Sequence, residues 1–186
     1  MTPGHLTAPR VAGIAGALLV AIVIQTSVLP HFAVRGVVAD AVLLVVVAVG
    51  LRHGAEPAMV LGFTAGLLLD LMPAADHVVG RWALALLAAG YLSGALAASG
   101  PVSSVRSALE QRRRWLLPLA TVAACSFVAS SVFALSGLVL RDPLVGVADL
   151  LEVVLIALIS DVVLGLLVVP FVFALDERLE PDRLVA

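Results

Sequence analysis

Residues 62–71 read Gly62-Phe-Thr-Ala-Gly66-Leu-Leu-Leu-Asp70-Leu71 (GFTAGLLLDL), an apolar run with a carboxylate near its end. Gly62, Gly66 and Asp70 stand four residues apart, so in a helix they line one slowly drifting face. Two glycines at that spacing let a second helix approach closely, which is how helices associate in lipid. The run has no charged face of the kind a water-exposed helix presents. It therefore reads as a buried or membrane-embedded helix that keeps one acid.

Composition extends that reading to the whole chain. The 186 residues are 62% hydrophobic and 13% charged, against about 25% charged in an ordinary soluble domain. Mean hydropathy is +1.15. Six apolar stretches stand out, at about 11–29, 37–51, 56–72, 82–99, 115–140 and 150–175. A spanning helix needs roughly 17–25 such residues, so the second is short and the last two are long. The second reaches length only if Asp40 and the residues around Gly36 enter the membrane edge. The runs are continuously apolar rather than alternating, which predicts helices and not a barrel. Short connections leave no room for a soluble domain. Residues 1–186 are expected to form a single polytopic membrane domain, an all-α compact bundle of about six transmembrane helices.

Basic residues set the expected orientation. All eleven are arginine. Arg10, Arg52, Arg106, Arg112, Arg113, Arg114, Arg178 and Arg183 fall on one side of a six-span topology, and Arg35, Arg81 and Arg141 on the other. The positive-inside rule puts both termini in the cytoplasm. Arg112, Arg113 and Arg114, followed by Trp115, read as an interfacial anchor for anionic membrane lipid. The segment 176–182 is short and acidic and is expected to be solvated. A net charge of −2 gives no reason to expect nucleic acid. The run after Arg10 could be a signal peptide, but it lacks a small-x-small cleavage pattern and reads as the first helix.

Catalytic chemistry finds no footing. Cys125 is the lone cysteine, inside an apolar run, where it behaves as a small hydrophobe. His5, His31, His53 and His77 lie in loops or at helix ends, with no metal-ligand spacing. Tyr91-Leu-Ser-Gly94 superficially suggests an intramembrane serine-protease motif, but Tyr91 stands where glycine belongs and no histidine follows within a helix. No catalytic site, cofactor site or metal site is expected.

The acids are the informative residues. The third helix should begin near Glu56-Pro57, where proline suits a first turn. Asp70 then falls in its last turn, the unfavourable end of the helix dipole for an anion. It needs a partner, and Arg81 at the start of the fourth helix is the candidate for an ion pair or cap. Gly90, Gly94 and Ala98 repeat the small-residue spacing beside Tyr91. Asp161 lies deepest, with Ser160 beside it; it serves either a function or a structural hydrogen bond to a residue such as Gln25 or Thr26. Asp40, Asp70, Asp149 and Glu152, with Arg35, Arg81 and Arg141, map to the outer half and suggest an outward polar recess. The plain alternative is that helix ends are where charges are tolerated.

The run from Met59 through Gly62-Phe63, Gly66-Leu67 and Asp70, then Gly80, Ala83-Leu84 and Tyr91-Leu-Ser-Gly94, resembles the bacterial rod shape-determining protein MreD family. Ala39-Asp40-Ala-Val-Leu fits the family's start of the second helix, with Ala39 where proline is usual. The likeness covers roughly residues 39–98. It implies a non-enzymatic component of the cell-elongation machinery in the bacterial inner membrane. That machinery also contains MreC, peptidoglycan synthases and MreB filaments. On this reading Gly62, Phe63, Gly66, Asp70, Arg81, Tyr91 and Gly94 are the expected packing and partner-interface positions, and the outer recess around Asp70 and Arg81, with the seam at Gly62 and Gly66, is expected to help receive MreC's membrane segment. The alternative is a vitamin-binding subunit of an energy-coupling-factor transporter, also a six-helix protein. The small patch Gly13-Ile-Ala-Gly-Ala17 suits that alternative; the 5% aromatic content does not.

Overall fold

The computed structural model describes residues 8–72, 79–99, 109–139 and 147–179, with the side chains of 109–115, 138 and 147–150 outside that description. Six α-helices follow one another: α1 (Ala8–Ser27), α2 (Ala41–His53), α3 (Ala55–Asp70), α4 (Arg81–Ala98), α5 (Leu109–Val139) and α6 (Val147–Arg178), with a 3₁₀ turn at Leu29–Phe32. Four of them, α1, α4, α5 and α6, are long and apolar enough to cross a membrane. The all-α membrane bundle stands at that level. The α2 helix has 13 residues and α3 has 16, so neither reaches the length that about 30 Å of hydrocarbon requires.

The shortness of α2 has a physical reason. It is the central post: α1, α3, α4, α5 and α6 all pack against it. Every residue from Ala41 to Gly50 is buried. A helix that is apolar all round belongs in a core, and a helix shielded by protein on all sides need not match the bilayer. Residues 34–37 do not extend it. They form a tight turn with an isolated bridge between Val34 and Val37, and Arg35 and Gly36 both take positive φ.

The α2–α3 corner is a single residue. Gly54 closes α2 and opens α3 with φ 89° and ψ −175°, a region that side-chain-bearing residues avoid. From there α3 and α4 form a tight antiparallel hairpin. A Cβ added at Gly62 would strike the Leu86 carbonyl, and one at Gly66 the backbone of Trp82 and Ala83. Likewise Gly90 faces the backbone of Ala58, and Gly94 that of Ala55. The small-residue spacing of both helices is thus used between these two helices, and the Gly62–Gly66 groove is filled by α4. Gly50 of α2 approaches Ser93 and Gly94 just as closely, fixing α2, α3 and α4 as one unit.

The α5 and α6 helices complete the bundle. The Cys125 thiol points at the Ala89 carbonyl of α4 (3.5 Å), and Trp82 stacks at a tilt on Phe133 (4.7 Å between centroids). The start of α1 and the end of α6 meet, with Arg10 beside Asp176 and Gly13 against Leu179. The start of α1 and the end of α6 therefore lie at one end of the bundle, the terminal end. The outward faces of α1, α3 and α6 expose Val20, Val23, Val60, Phe63, Ile159 and Leu167, the surface expected toward lipid.

Candidate functional site

The first four N–H groups of a helix have no partner within it, and inside a bilayer no water replaces them. Two helices here begin within the bundle, and the buried acids sit at their starts. Asp70 is one. Its Oδ2 accepts from the N–H groups of Gly80 (2.8 Å) and Ala83 (3.1 Å), and its Oδ1 from Trp82 (3.2 Å). The last residue of α3 therefore caps the first turn of α4. The unfavourable position at the α3 C-terminus is offset by the α4 N-terminus, where an anion is favoured. Gly80, with φ 104°, makes the turn that brings those N–H groups round.

Arg81 is 5% exposed although charged. Its Nη2 donates to the Phe133 carbonyl (3.0 Å) and its Nε to Ser136 Oγ (3.3 Å), while the guanidinium lies 4.1 Å over the Phe133 ring. It fastens the α4 start to the far end of α5. Asp70 and Arg81 are thus adjacent parts of one junction between α3, α4 and α5.

The second junction is at the α2 start. The Asp40 backbone N–H donates to Asp161 Oδ1 (2.7 Å), the Val42 N–H to Gln25 Oε1 (2.9 Å) and the Leu43 N–H to Asp40 Oδ1 (2.8 Å). Ser126 Oγ donates to Asp161 Oδ2 (2.6 Å). Three side chains, from α1, α6 and the N-cap position of α2 itself, satisfy one helix terminus, and Ser126 of α5 holds one of them in place. Asp161 is 2% exposed and Ser126 fully buried. The two carboxylates are brought together by the backbone they both serve.

These contacts settle which sequence expectations meet. Asp161 does make a structural hydrogen bond, but its partners are Ser126 and the Asp40 N–H. Gln25 serves Val42 instead, and Thr26 bonds back to the Ile22 carbonyl (2.9 Å). Of the residues expected in one outward recess, Asp40 caps the α2 start, and Asp70 with Arg81 forms the α4 start. Glu152 pairs with Arg35 at the exposed flank of α6, where ion pairs contribute about 0–1 kcal/mol. Asp149 and Arg141 lie outside the described side chains, as do those of Arg112, Arg113 and Arg114, whose backbone forms the first turns of α5. Phe63 and Tyr91 are exposed, while Gly62, Gly66 and Gly94 are buried in the hairpin.

A third polar cluster was not expected. At the terminal end Asp176 is 7% exposed, not solvated. Its Oδ1 lies 3.1 Å from His53 Nε2 and 3.8 Å from Arg10 Nε, tying together α1, α2 and α6. Arg52 pairs with Glu177, donates to the Phe173 carbonyl (3.2 Å) and lies 4.5 Å over the Phe173 ring. Nothing in the local sequence marks Asp176 as different from Glu177. Only the parallel packing of α2 on α6, which sets Asp40 beside Asp161 and His53 beside Asp176, does.

Among the described residues no three histidines, cysteines or acids converge to hold a metal ion. The chain matches no family model, no curated protein and no solved structure.

Proposed function

We propose that this protein is a non-enzymatic scaffold of the bacterial inner membrane that works in cell elongation, binding MreC and helping organise peptidoglycan synthases and MreB filaments. The observation that supports the reading is the α3–α4 hairpin. The residues that carry the resemblance, Gly62, Gly66, Asp70, Gly80, Ala83 and Gly94, are parts of one capped, glycine-packed unit. A rigid two-helix surface suits a scaffold, because binding then orders little of the protein. With the Gly62–Gly66 groove taken by α4, the partner's membrane segment must use the outer surface of the hairpin, where Phe63 and Tyr91 stand free. Aromatic anchors of this kind dominate interfaces. Both termini face the cytoplasm on this reading.

Gentle detergent purification of the tagged full chain from its native membrane, with mass spectrometry, tests the proposal. MreC and wall synthases are expected. Recovery of a coupling membrane protein with two ATPases would replace the reading with a vitamin-transporter subunit.

A further inference from the structure

Between α5 and α6, at the terminal end, lies a half-open cavity of about 560 Å³, within the range of about 300–1,000 Å³ typical of ligand sites. Its walls are Leu119, Leu166 and Val169, hollowed by Pro118, Pro170 and Ala174. Its charged groups, Arg52 and Glu177, stand together at one end. The cavity is therefore amphipathic along its length, apolar toward mid-bundle and charged at the rim.

Arg52 is the decisive residue. It projects from the central helix into this cavity, and its side chain is 28% exposed. A guanidinium has five N–H donors, yet the Phe173 carbonyl and Glu177 are both bound through Nη2. Its Nε and Nη1 have no acceptor among the described residues. The cation is held from behind by the Phe173 ring, which fixes it without using those donors. In α5, Arg112–Arg114 precede Pro118 by four to six residues and so belong to the same end of the bundle.

We infer that this cavity is a binding site for an anionic glycerophospholipid, one acyl chain lying between α5 and α6 and the phosphate on Arg52. Basic pockets between membrane helices near the interface select such headgroups. A partner helix fits less well. It would need a seam of small residues along its whole length, and it would bury the Arg52–Glu177 pair without supplying an acceptor for the remaining donors. A lipid supplies the acceptor and leaves Glu177 at the water edge. Glu177 then acts as the competitor that the phosphate displaces from Arg52.

The test is native mass spectrometry of the purified full chain released from phosphatidylcholine nanodiscs containing a minority of phosphatidylglycerol. The expected result is retention of phosphatidylglycerol about tenfold above its share. Arg52→Gln should lower that retention about fivefold or more, the scale of one basic group at a lipid surface. Ala174→Phe, which fills the cavity without touching the cation, should lower it as much. Glu177→Gln should raise it, which a merely structural ion pair would not do. Equal retention of phosphatidylcholine, unchanged retention in Ala174→Phe, or a loss in Glu177→Gln would each overturn the inference. So would displacement by millimolar inorganic phosphate, since that would make the site a phosphate site without an acyl chain.

Discussion

The starts of α4 and α2 solve the same problem in opposite ways. Each is a helix N-terminus packed against other helices of the bundle, and each is capped by a carboxylate. At α4 the acceptor is Asp70, 10 to 13 residues earlier at the end of α3. At α2 the acceptors are Asp40 itself, Gln25 from the preceding helix and Asp161, 121 residues later. A local cap closes as soon as the α3–α4 hairpin forms. The remote cap is complete only when α5 and α6 have docked, so the α2 start reports the assembly of the whole bundle. Within a membrane, association rests on packing and polar contacts rather than on hydrophobic burial; these two junctions supply both.

The sharpest way to break the local junction is to wedge it open. Gly66→Leu would drive a side chain into the backbone of Trp82 and Ala83, displacing the very N–H groups that Asp70 holds. Overpacking costs about 1–3 kcal/mol where side chains can yield; here backbone must move, so a loss of about 3 kcal/mol or more is expected. Thermal unfolding of the purified variant in detergent measures it. An unchanged midpoint would mean that the hairpin is not packed through its glycines.

Asp161→Ala tests the remote junction. It leaves the Asp40 N–H and the Ser126 hydroxyl without an acceptor, at about 1–3 kcal/mol for each buried donor, so a loss near 3 kcal/mol is expected. Asp161→Asn keeps an acceptor for the Asp40 N–H and should lose about 1 kcal/mol. Paired with Ser126→Ala, a double-mutant cycle should give a coupling of roughly 0.5–3 kcal/mol. If Asn is as damaging as Ala, the charge itself is required and the cap is not the whole role of Asp161.

Asp70→Ala should cost less, about 2 kcal/mol, the upper end of helix-cap losses, although Asp70 holds three N–H groups. Gly80 and Trp82 are only half-buried, so water can replace part of what the carboxylate gives. Hydrogen exchange at the first turn of α4 would locate the loss. An effect larger than that of Asp161→Ala would reverse the ranking by depth on which the comparison rests.

The contrast also explains what the sequence revealed. The glycine spacing of α3 and α4 and the need of Asp70 for a partner were legible because both sides of that junction lie within one hairpin; the sequence pointed to Arg81, and the N–H groups beside it, of Gly80, Trp82 and Ala83, bind the carboxylate. The all-helical membrane class was legible from composition. The place of α2 was not: an apolar run at about 37–51 looks like a truncated span until five helices are seen around it. Gln25 and Ser126 were visible only as polar residues in apolar runs. Their assignment to the Val42 N–H and to Asp161 is a matter of helix register, which no short-range pattern encodes. Asp176 was misjudged for the same reason, since its burial comes from Arg10 and His53 on helices far away in sequence.

The smallest expected effect separates fold from docking. Phe63 is 46% exposed and Tyr91 57%, and neither is part of a junction described above. Replacing both with alanine should leave the unfolding midpoint within about 0.5 kcal/mol of the parent chain, as surface changes do. The same variant should recover several-fold less MreC in the detergent purification, since buried aromatic anchors cost more than about 2 kcal/mol when truncated. Stability and partner recovery must therefore move apart. If they fall together, the outer surface of the hairpin contributes to the fold, and the partner's segment must dock elsewhere. If neither moves, these aromatics serve only the lipid boundary, and the rigidity conferred by Asp70 and the glycines serves a surface other than the one proposed.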